Sequence, residues 1–207
     1  MKIINILFCL FLLVLNNCNS NDSNTLSNNK QQEKGRKKRD LDTQEPQEEE
    51  KKITITPEEE KKFNSLTNAF KYTIEKLTEQ IHGCTNENKS KCTSFFDWLY
   101  TDIQKQKELA NAFTSVYDFL ETKRQSKAKG EDFDTYIKGA IDCKVTNDAN
   151  CTDNKHGNDN NEIEQYFRGI AGDIFNKKSN DEIYQCLKDE LLNTDNHYSG
   201  LTTNWQN

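Results

Sequence analysis

Phe63, Leu66, Phe70, Ile74, Leu77 and Ile81 stand 3, 4, 4, 3 and 4 residues apart. That interval is the period of one helix face, so this line of side chains must be buried against other elements. Ahead of it, Thr56-Pro57-Glu58-Glu59 reads as a helix start. Thr56 is the N-cap, Pro57 takes the first helical position and Glu59 closes a capping box, while Gly83, just past His82, reads as the stop. A second line follows: Phe96, Leu99, Ile103, Gln106, Ala110, Phe113, Tyr117 and Leu120, with only Gln106 polar. It predicts one helix over 93–124, roughly 48 Å long at about 1.5 Å per residue.

Three shorter helices are predicted after it. One covers 131–143 with Phe133, Tyr136, Ile137, Ala140 and Ile141 inward; the next covers 161–176 with Ile163, Tyr166, Phe167, Ile170, Ile174 and Phe175. The last starts at Ser179, where Ser179 and Glu182 form another capping box before Ile183, Leu187 and Leu191. "KITIT" (52–56) alternates like a strand but is too short to support a sheet. The expected fold class is all-α: a single bundle of about five helices, two long and three shorter, over residues 53–207.

The N-terminus sets the compartment. Lys2 precedes an apolar run, Ile3 to Leu15, broken only by Asn5. A membrane span needs about 20 residues, so this run fits the core of an export signal instead. It ends on Asn16-Asn17-Cys18, which looks like a bacterial lipobox with Asn where small residues are usual. Residues 1–17 are therefore read as a lipoprotein signal peptide and Cys18 as the lipidated residue. Cys9 lies inside the discarded part. Each acyl CH₂ contributes about 0.8 kcal/mol of membrane binding, so several chains on Cys18 hold the protein durably.

Residues 18–52 carry Leu26 and Leu41 as their only large apolar side chains. Such a stretch cannot bury enough surface to offset chain entropy, and it is read as a disordered tether. A coil of that length averages on the order of 30–35 Å end to end. The whole chain is 33% hydrophobic and 30% charged, at mean hydropathy -0.99, with the apolar leader and this polar segment as its two extremes. The tether holds a basic block, "KGRKKRD" (34–40), and an acidic one, "EPQEEE" (45–50). Two readings stand for the basic block: a contact with anionic lipid or another polyanion, or a solvated, protease-sensitive linker. Residues 53–207 carry 19 Lys and Arg against 26 Asp and Glu, net −7. An acidic domain argues against nucleic acid as a partner.

Export makes disulfides the first expectation for the other five cysteines. Cys84 and Cys92 bracket one turn; Cys143 and Cys151 bracket the loop "KVTNDAN". Both pairs have the form C-x7-C, and local pairing within each is expected to contribute roughly 2.5 kcal/mol. Cys186 is left over, either as a small inward-facing residue or as a site of intermolecular pairing. Zinc between His82, Cys84 and Cys92, or between His156, Cys143 and Cys151, lacks C-x2-C or H-x3-H spacing. In "TDNKHGNDNNE" (152–162), an EF-hand register that puts Gly157 sixth puts Thr152 first, where a carboxylate belongs. No metal and no cofactor are expected.

No G-x-S-x-G, phosphate-cradling glycine loop or H-E-x-x-H is present. His82, His156 and His197 read as surface residues, and the carboxylates as solvated helix faces. No enzymatic activity and no small-molecule substrate are expected. The C-terminal "NHYSGLTTNWQN" (196–207) reads as non-helical. Its Tyr198, Leu201 and Trp205 either cover the bundle or form an exposed contact patch. Trp98 and Phe95, off the main stripe, read as extra core contacts.

On two stretches the chain resembles a known family. "MKIINILFCLFLLVLNNCNSNDSNTL" and "NNKQQEKGRKKRDL", together residues 1 to about 41, look like the start of the multicopy lipoproteins (Mlp) of Borrelia. "ITPEEEKKFNSLTNAFKYTIEKL" and "ELLNTDNHYSGLTTNWQN" are similar to the longer members. The resemblance maps the lipidated residue onto Cys18 and implies a non-enzymatic protein anchored in the cell outer membrane and facing outward. The function expected is interaction with a host or vector protein of unknown identity. A passive, variable coat and a periplasmic lipoprotein that binds an envelope component are the alternatives.

Overall fold

The computed structural model describes residues 53–85, 88–146, 151, 154–158 and 160–205. The signal peptide, Cys18 and the tether lie outside the described residues. Helix α1, Pro57–Leu77, starts as its sequence dictates: the Glu59 amide donates to Thr56 Oγ1 at 3.2 Å, and the Thr56 amide donates to Glu59 Oε2 at 2.8 Å. Phe63, Leu66, Phe70 and Ile74 are fully buried. They are buried because α1 runs through the middle of the molecule, packed against α2 (Lys89–Leu99), α3 (Ile103–Ala112), α5 (Phe133–Thr146) and α6 (Glu162–Ile174). Helix α4 (Thr114–Lys127) bridges α3 and α5; α7 (Asn180–Leu192) lies on α3 and α6; α8 (His197–Asn204) lies on α6. The all-α class holds, with eight helices and no strand among the described residues rather than about five helices. None of these helices is long and apolar enough to cross a membrane.

Three expectations need correction. Helix α1 does not run to His82; it ends at Leu77 and two 3-10 turns, 78–80 and 82–84, continue the chain. Gly83 is therefore not a helix stop. A Cβ there would collide with the Phe175 carbonyl, so this glycine permits close approach of the turn to the end of α6.

The single helix over 93–124 is also absent. After Leu99 the chain turns, and Asp102 adopts an extended conformation whose carboxylate accepts the Lys105 amide at 3.1 Å, restarting the helix as α3. Gln106, the one polar residue of the stripe, donates from Nε2 to the Leu99 carbonyl at 3.2 Å, satisfying a group that the break exposes. A second bend, at Phe113, separates α3 from α4.

The C-terminal segment is the third correction, since it is helical. Leu201 and Trp205 are 1% exposed, and the Trp205 ring meets Phe119 edge-on at 6.1 Å between centroids. Tyr198 packs on Phe119 from the side at 6.4 Å. These three residues cap the bundle and are not an exposed contact patch. Phe95 is fully buried and Trp98 is partly buried against the core.

Three further helix starts use local caps: Asp132 for α5, Asn161 for α6, and the Ser179–Glu182 box for α7. One ion-paired cluster ties α3 to α7. The Glu108 carboxylate accepts from Lys188 Nζ, the Tyr184 hydroxyl and Gln104 Nε2, each at 2.6 Å. These donors, Lys188 first, hold its pKa down at about 2, while burial, before the Glu108 contact, pushes the Tyr184 hydroxyl up.

Two measurements test this packing. Trp205→Ala removes a buried indole and should cost about 3–5 kcal/mol, read as a drop in the denaturant midpoint with an unchanged slope. Glu108 is depressed in the folded state, so its contribution to stability is present above about pH 4.5 and is lost as pH falls toward about 2. Glu108→Gln should therefore flatten the stability profile in that acid window, and an unchanged profile would remove the cluster from the account.

Candidate functional site

Both predicted disulfides have the geometry of bonded pairs. Cys84 and Cys92, both fully buried, join the 3-10 turn to the first turn of α2 with Cα atoms 5.8 Å apart. Cys143 joins Cys151 from the last turn of α5, with Cα atoms 5.5 Å apart. Bonded sulfurs are not thiolates, so neither imagined zinc set exists: His82 is exposed beside the first pair, and His156 Nδ1 stands 3.7 Å from Cys143 Sγ beside the second. Cys186 is 1% exposed.

Buried polar chemistry gathers where α6, α7 and α8 meet. Glu162, Tyr166, Gly169 and Asp173 are spaced 4, 3 and 4 apart and so share one face of α6. Helix α8 lies on that face, with His197 at its first position. The imidazole fits because residue 169 has no side chain. A Cβ there would stand 2.6–2.7 Å from the ring atoms Cε1 and Nδ1. So seated, His197 Nε2 reaches Asp173 Oδ2 at 2.8 Å and Glu190 Oε2, from the last turn of α7, at 4.0 Å. Asn196 Nδ2 donates to the same Glu190 oxygen at 2.9 Å.

The cluster runs from surface to interior: the Asp173 side chain is 43% exposed, His197 22% and Glu190 4%. Burial pushes the Glu190 carboxyl above its ordinary pKa; Asn196 and His197 oppose that shift, and the Asp173 charge adds to it. Tyr166 lies alongside, 2% exposed. Its hydroxyl is buried without a hydrogen-bond partner among the described residues, and burial followed by the Glu190 charge drives its pKa upward. His197, Tyr166 and Asn196 also form part of the wall of a cleft of about 340 Å³ that opens beside the cluster. A larger cleft, about 440 Å³, lies between the starts of α1 and α5 and is lined by Pro57, Lys61 and Asp132 among others.

Two readings of single residues change accordingly. His156 is not a surface residue, being 4% exposed against the Tyr136 ring, and His197 is partly buried. Nor are the carboxylates all solvated, since Glu162, Glu164 and Glu190 are buried, Glu164 being paired with Arg168. One signal for the site was present in the sequence. Tyr198, Leu201 and Trp205 stand 3 and 4 apart, which is a helical stripe and places His197 at a helix start. Gly169→Ala should push the imidazole off α6 and lower the thermal midpoint by several degrees, checked by circular dichroism.

The chain is 66% identical to lipoprotein MlpJ and 60% identical to lipoprotein MlpB of Borreliella burgdorferi, in each case over all of both chains. Against lipoprotein MlpA of the same organism the match is 78% over 41 residues, 20% of this chain and 28% of that protein. No solved structure matches the chain. The model of the Mlp lipoprotein family matches residues 30–187, more than half of the chain, which therefore belongs to that family.

Proposed function

We propose that the protein is anchored in the outer membrane by acyl chains on Cys18 and holds its helical domain outward on the tether of residues 18–52, as a non-enzymatic interaction module for a host or vector protein. The observation that carries this reading is the contrast among relatives. Two lipoproteins align from end to end, whereas others share only a short stretch at higher identity. Short matches at high identity beside end-to-end relatives suit a common anchor bearing variable domains. The two disulfides seen among the described residues fit an exported, non-reducing setting.

A passive variable coat is the second reading, and burial of Leu201 and Trp205 favours it, because the contact patch expected in the tail is covered. Three measurements separate these readings. Mass spectrometry of the mature protein should find acyl groups on Cys18 and no leader; an unmodified Cys18 overturns the anchor. Protease added to intact cells should cut at "KGRKKRD" (34–40) and release the domain, whereas full protection places the protein in the periplasm. The full chain should bind a serum or tissue protein at micromolar affinity or better, and Trp205→Ala should matter only through stability. Absence of any such ligand leaves the coat.

A further inference from the structure

We propose that Asp173, Glu190 and His197 together form a binding site for a divalent transition-metal ion of the zinc type. Three helices each supply one ligand atom, an imidazole nitrogen or a carboxylate oxygen, and the three atoms lie within 4.8 Å of one another. Zinc bonds of about 2.0–2.2 Å place tetrahedral ligand atoms about 3.3 Å apart, so side-chain adjustments alone close the set around an ion. An imidazole with two carboxylates suits a borderline metal such as zinc and is a poor match for calcium, which takes six or more oxygens.

Charge points the same way. Among the described residues, His197 is the sole ion-pair partner of Asp173 and of Glu190. Two carboxyl groups face one imidazole in a corner where Glu190 is only 4% exposed. A divalent ion with neutral imidazole brings the sum to zero. Asp173 and Glu190 also stand in the last turns of α6 and α7, which carry no basic residue there, and the negative ends of both helix dipoles add to the attraction for a cation.

The buried Tyr166 hydroxyl is a separate pointer. It is unpartnered beside Glu190 and faces the cleft that His197 walls. A buried hydroxyl without a partner is costly, and a water on the ion's open position, reached from the cleft, would give it one. Seating of the imidazole on Gly169 and the Asn196 bond to Glu190 hold two of the three ligands in place before any ion arrives. The site stands on these residues alone and does not depend on where the protein is displayed.

The test uses the full chain with its disulfides intact, stripped with chelator and titrated with zinc chloride at neutral pH by calorimetry. One ion per chain is expected, with calcium chloride binding at least a hundredfold more weakly. Asp173→Asn changes the most exposed ligand and leaves the packing in place, so helical content by circular dichroism should be unchanged; it and His197→Ala should each weaken zinc binding at least tenfold. His82→Ala alters an exposed histidine elsewhere and should bind as the wild type does. The proposal falls if the wild type takes up no stoichiometric zinc, if folded Asp173→Asn binds undiminished, if calcium competes equally, or if His82→Ala abolishes binding.

Discussion

Burial of one face of α1 is the constraint on which the rest of the molecule depends. Phe63, Leu66, Phe70 and Ile74 are fully inaccessible to water although a lone amphipathic helix would leave half its circumference wet. Four other helices close around α1 to achieve this, and they contribute aromatic rings: Phe96 stacks on Phe70 at 6.2 Å, and Phe167 meets the same ring edge-on at 5.3 Å. Phe70 is thus the point where α1, α2 and α6 share one contact. An elongated second helix would have carried its aromatic residues past the core. The turn at 100–102 folds α3 back onto α1, so Phe96 and Leu109 both reach the interior.

Apolar spacing made the helical class and most inward residues legible, because burial on one face leaves a periodic trace wherever the helix is straight. It does not report breaks. Phe96 to Leu120 keeps its rhythm across the 100–102 turn, since a helix that restarts in phase preserves the pattern. The clue lay in polar chemistry: Asp102 is a good N-cap, and Gln106 is buried to serve the Leu99 carbonyl. The tail misled for the opposite reason. Gly200 and a run of Thr and Asn have low helix propensity, yet the 3 and 4 spacing of Tyr198, Leu201 and Trp205 was there, and packing on Phe119 overrode the propensity. The paired cysteines were legible from spacing because each pair is local.

The polar corner was not legible, and the reason is topological. Asp173, Glu190 and His197 lie on three helices, and no local spacing relates them. Their meeting depends on how α7 and α8 fold back on α6, and on Gly169, whose missing side chain is meaningful only once an imidazole is known to lie there. Periodicity marks Tyr166 as a core residue, which it is, and so conceals a hydroxyl that has no partner.

The two kinds of cross-link divide the molecule. The Cys84–Cys92 bond fixes the turn that carries Gly83 against the end of α6, and Cys143–Cys151 fixes the exit of α5, whose neighbour across the loop is the start of α6. Each bond is local, and it acts mainly by limiting the unfolded chain. Helix α8 has no such restraint among the described residues. It is short, has no side-chain N-cap and contains a glycine, so its order rests on Leu201, Trp205 and the polar contacts of Asn196 and His197. A cation at the corner would do for α8 what the disulfides do for the turns around α6, joining three helices through one centre.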